Sequence, residues 1–222
     1  MTTRTLVVAP HPDDEVLGAG GTLLRRKAQG GKTAWLLMTC IDTEHGWDQS
    51  QIESKTLQIA AIAKHFEFDA VYELNFPTTR LDSIPMHLIV EKVAAVVKSF
   101  EPSEVLVPHG SDVHTDHRVT FDAISTSTKW FRYPSIERVL AYETLSETEF
   151  GLDYSNVFRP NVFIDISAHL EAKLAALQIY SAELAPFPFP RSPEAVKALA
   201  MVRGSAAGFQ AAEAFELLRE RS

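Results

Sequence analysis

A single cysteine, Cys40, stands in the 222-residue chain, so no intramolecular disulfide can form. That agrees with a reducing compartment. Cys40 closes the apolar run 34–40 and reads as a buried core thiol rather than a nucleophile. Positive charge is also scarce: 21 Lys and Arg stand against 29 Asp and Glu, a formal net charge of −8. Non-specific nucleic-acid binding wants a basic face, so this balance argues against that class. It leaves room for an anionic ligand held by a few local arginines. No apolar stretch is long enough to span a bilayer, and no apolar signal segment follows Met1. The expectation is a soluble, cytoplasmic protein with no membrane span. Internal repeats and long linkers are missing as well, so residues 1–222 read as a single domain.

What is present is an alternation of short apolar runs and longer helical patterns. Residues 5–9, 33–40, 70–76, 104–108 and 138–143 read as strands rich in Val, Leu and Ile. Between them, residues 51–66 and 85–100 place apolar side chains at helical spacing. A helix opens at 18–21 and runs to about Gln29, and residues 117–130 form another. This pattern predicts an α/β fold, a Rossmann-like parallel sheet flanked by helices. The last third departs from it. A strand is expected at 161–166, helices at 168–183 and 193–204, and a final helix at 206–219, a C-terminal helical elaboration. A proline-rich loop with Arg191 in its middle joins two of these helices. Phe187 and Phe189 in that loop suggest a contact surface between copies, a homo-oligomer.

Two clusters carry chemistry. The first, Ala9-Pro10-His11-Pro12-Asp13-Asp14-Glu15, crowds one imidazole and three carboxylates at the exit of the first strand. So much negative charge at the end of a buried strand calls for a compensating cation. The second, with His109, Asp112, His114, Asp116 and His117, follows the strand at 104–108. In open parallel sheets, ligands sit beyond the carboxyl ends of the strands. Asp42, Glu44, Arg80 and Asp82 follow other strands and are expected at the same edge.

Zinc takes His nitrogen and carboxylate oxygen, and a catalytic site keeps three protein ligands and an open position. His11 and Asp14, three apart in a strand-to-helix turn, reach one ion, and His117 supplies the third ligand. Asp13, adjacent but not ligating, is placed to take a proton from a water on that ion. His114, as an imidazolium, would stabilise a developing oxyanion. Asp116 would accept from one of the histidines and orient it. A plain alternative for Asp13 or Asp14 is helix capping, which accounts for one carboxylate but not three beside a histidine. His109 has no required role. The glycines Gly18, Gly20 and Gly21 lack the spacing of a phosphate-binding turn and are expected to let the backbone turn tightly under the cluster.

The residues His11-Pro12-Asp13-Asp14-Glu15 with the glycine-rich segment behind them, and His114-x-Asp116-His117, resemble the LmbE-like or PIG-L family of metal-dependent N-deacetylases. Weaker likeness extends through Phe76 to Asp82, Tyr142-Glu143, Pro190-Arg191-Ser192 and Arg203-Gly204. Pro10 stands where the commoner form has alanine. The resemblance implies an LmbE-like fold, one zinc ion per chain, and removal of an acetyl group from an N-acetylglucosamine-type sugar or glycoconjugate. It implies His11, Asp14 and His117 as ligands, Asp13 as general base and His114 as electrostatic stabiliser. Arg80, Asp82, Glu143, Arg191 and Arg203 are candidates for gripping sugar hydroxyls or an anionic group. Two other readings stay open: a metal-dependent hydrolase of a phosphoester, and a Rossmann-like module that binds a nucleotide without catalysis.

Overall fold

A computed structural model describes residues 2–222. Its centre is a seven-stranded sheet of order β3-β2-β1-β4-β5-β7-β6. The strands are β1 (Arg4–Ala9), β2 (Lys32–Cys40), β3 (Ala70–Pro77), β4 (Glu104–Pro108), β5 (Arg138–Tyr142), β6 (Val162–Asp165) and β7 (Ala212–Glu220). The helices are α1 (Asp14–Ala28), α2 (Gln49–His65), α3 (Met86–Phe100), α4 (Thr115–Thr126), α5 (Leu170–Ile179) and α6 (Pro193–Ala207). β1 to β5 pair in parallel, as the strand–helix alternation predicts.

The middle strands are buried on both faces, and successive side chains serve two separate cores. Leu6, Val8, Leu36, Val105 and Val107 point to the face covered by α3 and α4. Val7, Ala9, Trp35, Leu37 and Leu106 point to the face covered by α1 and α5. The chain leaves β1 toward β2 on one side, and β4 lies on the other, so strand order reverses between β1 and β4. The crevice beyond the carboxyl ends of those two strands is the topological switch point.

The chain's end differs from expectation. Residues 212–220 form a strand, not a helix, antiparallel to both β5 and β6. Ala, Glu, Leu and Arg are good helix formers, but an open edge of β5 and a solitary β6 leave a slot that only an extended segment fills. Tertiary pairing overrides propensity there. The glycines also act differently. Gly18, Gly20 and Gly21 lie inside α1 rather than in a turn. A Cβ on Gly18 would stand 2.1 Å from the Tyr142 ring, and one on Gly21 2.7 Å from Ile166. They allow α1 to approach the sheet. Cys40 is half-buried on the wall of a small cavity rather than in the core. No helix among the described residues is long and apolar enough to cross a membrane.

Candidate metal centre and active site

β1 ends at Ala9, and the turn that follows delivers His11, Asp13 and Asp14 to the switch point. β4 ends at Pro108, and the segment leading into α4 delivers Asp112, His114, Asp116 and His117. The two clusters meet. Asp14 Oδ2 lies 3.4 Å from His11 Nδ1 and 3.4 Å from His117 Nε2. The same oxygen accepts from the backbone N–H of His11 at 2.8 Å, which fixes the carboxylate in the turn. Ligand atoms of the three residues all fall within 4.8 Å of one another. In a tetrahedron with bonds of about 2.0–2.1 Å, neighbouring ligands are about 3.3–3.4 Å apart. The donor set and its spacing therefore fit a divalent cation of zinc's size.

Each histidine is oriented from behind. Nε2 of His11 donates to Asp116 Oδ2 at 2.9 Å, and Nδ1 of His117 donates to Asp112 Oδ2 at 2.8 Å. The opposite ring nitrogens face Asp14, where they would offer lone pairs to a cation that displaces their protons. Asp116 is in turn held by the backbone N–H groups of Thr79 (2.7 Å) and Leu81 (3.0 Å). Asp112 accepts from the Thr148 hydroxyl at 2.7 Å. A second His/Asp grouping, His11 with His114 and Asp116, shares His11 and draws on an Asp116 that already accepts three hydrogen bonds. The geometry describes one centre.

The electrostatics ask for positive charge at this point. Burial disfavours a charged His11, but Asp116 and Asp14 outweigh it and raise its pKa to about 9. Burial likewise opposes charge on His117, yet Asp14 and Asp112 raise it to about 10. Burial would raise the carboxyl of Asp14, but His117 and His11 hold it well below the usual range. Protons and a cation compete for the same donors in such a cluster.

Asp13 points elsewhere. It occupies the N-cap position of α1 but makes no side-chain capping bond, which sets aside the simple capping alternative. Its backbone lies at φ 136°, ψ −26°, a conformation rare outside glycine. Its own N–H donates to Glu15 Oε2 at 3.1 Å, and Arg191 Nη1 donates to its Oδ2 at 2.7 Å. Burial first, then the charge of Asp14, push its carboxyl up to about 7, against the pull of Arg191 and His11. A carboxyl near neutrality suits proton transfer in both directions.

His114 corrects the expectation of an imidazolium. Its Nδ1 accepts from the backbone N–H of Asp116 at 3.0 Å, so it carries no proton there. Burial and the neighbouring histidines His11 and His117 lower its pKa to about 4. The ring is neutral, with its proton on Nε2.

The cavity at this centre measures about 230 Å³ and is also lined by Trp47, Lys55, Thr78, Glu147 and Arg191. Of the residues expected to grip substrate, Arg191 is here, though its guanidinium is occupied by Asp13, Glu147 and the Ser146 hydroxyl. The others are not. Arg80 and Asp82 are exposed and do not line the cavity; their loop contributes backbone amides to Asp116 instead. Glu143 and Arg203 bond each other, Nε to Oε1 at 2.7 Å and Nη2 to Oε2 at 2.6 Å. They line a separate, larger cavity of about 430 Å³ together with His109. Phe187 and Phe189 are exposed.

Several contributors escaped sequence reading. Asp112 had a visible signal, five residues before His117 in the same cluster. Glu15 was visible in the first motif, but not its partner: it is fully buried and accepts from the Tyr180 hydroxyl at 2.8 Å. Tyr180 lies far off in sequence, and no local pattern points to it.

A family described as PIG-L, GlcNAc-PI de-N-acetylase, matches residues 6–127, the span that includes both clusters. The chain is 24% identical over 223 aligned residues to a diacetylchitobiose deacetylase of Thermococcus kodakarensis, covering 95% of this chain and 81% of that protein. The crystal structure of a conserved protein of Thermus thermophilus superimposes with TM-score 0.76 at 28% identity, covering 95% of this chain and 92% of the other. The 4-carboxy-2-hydroxymuconate hydratase of Pseudomonas putida superimposes with TM-score 0.72 at 19% identity, covering 99% of this chain and 98% of the other. That likeness is one of fold, and it shows that the scaffold alone does not name the reaction.

Proposed function

The chain belongs to the PIG-L, GlcNAc-PI de-N-acetylase, family, and from that premise we propose that it is a zinc-dependent hydrolase of the acetamide of an N-acetylglucosamine-type sugar or small glycoconjugate. Residues 1–222 act in this reading as one functional unit. The observation that carries it is that His11 Nδ1 and His117 Nε2 each stand 3.4 Å from Asp14 Oδ2, with the ligand atoms of the three residues within 4.8 Å of one another, beside a buried carboxylate, Asp13, bound to Arg191. A diacetylchitobiose deacetylase among the relatives supports the substrate class.

His11, Asp14 and His117 would hold one zinc ion. When bound there, zinc supplies Lewis-acid polarisation of a carbonyl and lowers the pKa of a water toward ~7. Asp13 takes the proton of the attacking water on the oxygen that Arg191 leaves free. The water oxygen bonds to the acetamide carbon. As the carbon–nitrogen bond breaks, Asp13 delivers that proton to the leaving nitrogen, and a free amine and acetic acid result, the acid then losing its remaining proton to solvent as acetate. Arg191 fixes Asp13 for both transfers. The neutral His114 donates its Nε2–H to the oxyanion of the tetrahedral intermediate. Asp116 and Asp112 keep the two ligating rings in place.

The phosphoester alternative is weaker because a pair of ions needs more ligand atoms than this cluster offers: the second grouping adds only His114 and an Asp116 that already accepts three hydrogen bonds. The test is release of acetate and primary amine from a panel of N-acetylated sugars by zinc-loaded protein. Turnover that disappears on chelation and returns with zinc is expected. No amine release from any N-acetyl sugar, with phosphoester cleavage instead, overturns the proposal.

A further inference from the structure

A second cavity of about 210 Å³ adjoins the candidate centre; Pro12, Ile41, Lys55 and Thr78 line both. It lies between α2 and the carboxyl ends of β2 and β3, where Ile52 and Ile59 of α2 face Thr39 and Cys40 of β2. Its polar groups are mostly spoken for. The Thr39 hydroxyl donates to Pro10 O at 2.8 Å, and the Thr56 hydroxyl donates to Ile52 O at 2.9 Å. Lys55 Nζ is held by Glu183 at 2.9 Å. Glu73 and Asn75 are exposed. The hydroxyls of Thr39 and Thr56 are thus already bonded within the protein, Pro12, Ile41, Ile52 and Ile59 form an apolar share of the lining, and Thr78, Glu73 and Asn75 complete it.

A sugar ring seated against the isoleucine–proline side would lose water from the hydroxyls turned to it and find no partners there, at a cost for each unpaired group. An apolar group loses nothing of that kind. A volume of about 150 Å³ is enough to hold a benzene ring, and this cavity is larger. Resting on the deacetylase reading, which makes the acyl group acetyl, we propose that this chamber receives an apolar aglycone. The substrate class is then an N-acetylated amino sugar whose other substituent is a short alkyl or aryl group, rather than a second sugar.

The probes are three amino sugars: methyl N-acetylglucosaminide, hexyl N-acetylglucosaminide, and methyl glucosaminide carrying an N-hexanoyl group. Calorimetry gives Kd for each, and acetate or amine release gives KM. A fully buried methylene is worth about fourfold in affinity, so the hexyl glycoside should bind about tenfold or more tighter than the methyl glycoside, with KM lowered in step. Filling the chamber by Ile59→Trp, or independently by Ile52→Phe, should erase that advantage. Equal Kd values for hexyl and methyl glycosides in the unaltered protein overturn the proposal. So does an advantage that survives both fillings, or one that appears for the N-hexanoyl compound instead. If the methyl glycoside is deacetylated but hexyl gains nothing, the chamber proposal alone fails. If no glycoside is deacetylated, the reaction proposed above fails, and the hexyl-to-methyl binding ratio still judges the chamber.

Discussion

Two cavities flank the loop after β5, and the larger is the chemically quieter. In the cavity of about 430 Å³, Arg203 and Glu143 satisfy each other through two hydrogen bonds, and His109 donates to Asn156 O at 3.0 Å. In the cavity of about 230 Å³, a ring nitrogen of each of two histidines meets one carboxylate oxygen, a donor set a cation can take over from protons. Unspent coordination, not volume, therefore marks the candidate reactive site. Ion pairs and hydrogen bonds that close on themselves leave a surface inert, however roomy it is.

Variants put this contrast at risk. The largest effect is expected for Asp14→Ala, which removes the oxygen common to both 3.4 Å contacts. Bound zinc, measured by elemental analysis, should fall to background, and turnover with it; retained zinc would dissolve the proposed centre. Next is Asp13→Asn. Zinc content should persist while kcat falls by about 10²–10⁴, the usual worth of a positioned general acid–base. Normal turnover would remove Asp13 from that role. Asp112→Asn keeps the shape but weakens the acceptor behind His117, and should reduce zinc affinity about 10–100-fold in a chelator competition. The smallest effect belongs to the quiet cavity: Arg203→Met should leave kcat and zinc content as they were. A large loss of kcat there would show that the Glu143–Arg203 pair takes part in the reaction.

Much of the parallel half was legible in the chain. The strands β1 and β4 each carry an unbroken apolar run, Leu6–Ala9 and Val105–Pro108, buried on both faces, and such runs separated by amphipathic helices have few other ways to pack. The two His/Asp clusters were legible too, because each directly follows one of those strands. Residues 206–219 misled, since their composition suits a helix and only the empty position between β5 and β6 makes them a strand. Arg80 misled for a similar reason. Its segment does reach the site, but through the amides of Thr79 and Leu81, and backbone groups carry no signature in the side-chain sequence.

The α/β alternation and the chemistry of the two clusters were set by local sequence, because short-range spacing puts His11 near Asp14 and His114 near His117 whatever surrounds them. Long-range packing settled the rest: which nitrogen faces the centre, that Arg191 holds Asp13, that Glu143 and Arg203 face away into their own cavity, and that a chamber lined in part by Ile52 and Ile59 opens beside the site. Those relations join elements separated by dozens of residues. They depend on how the elements pack and on which hydrogen-bonding groups are already satisfied, and no local pattern encodes either.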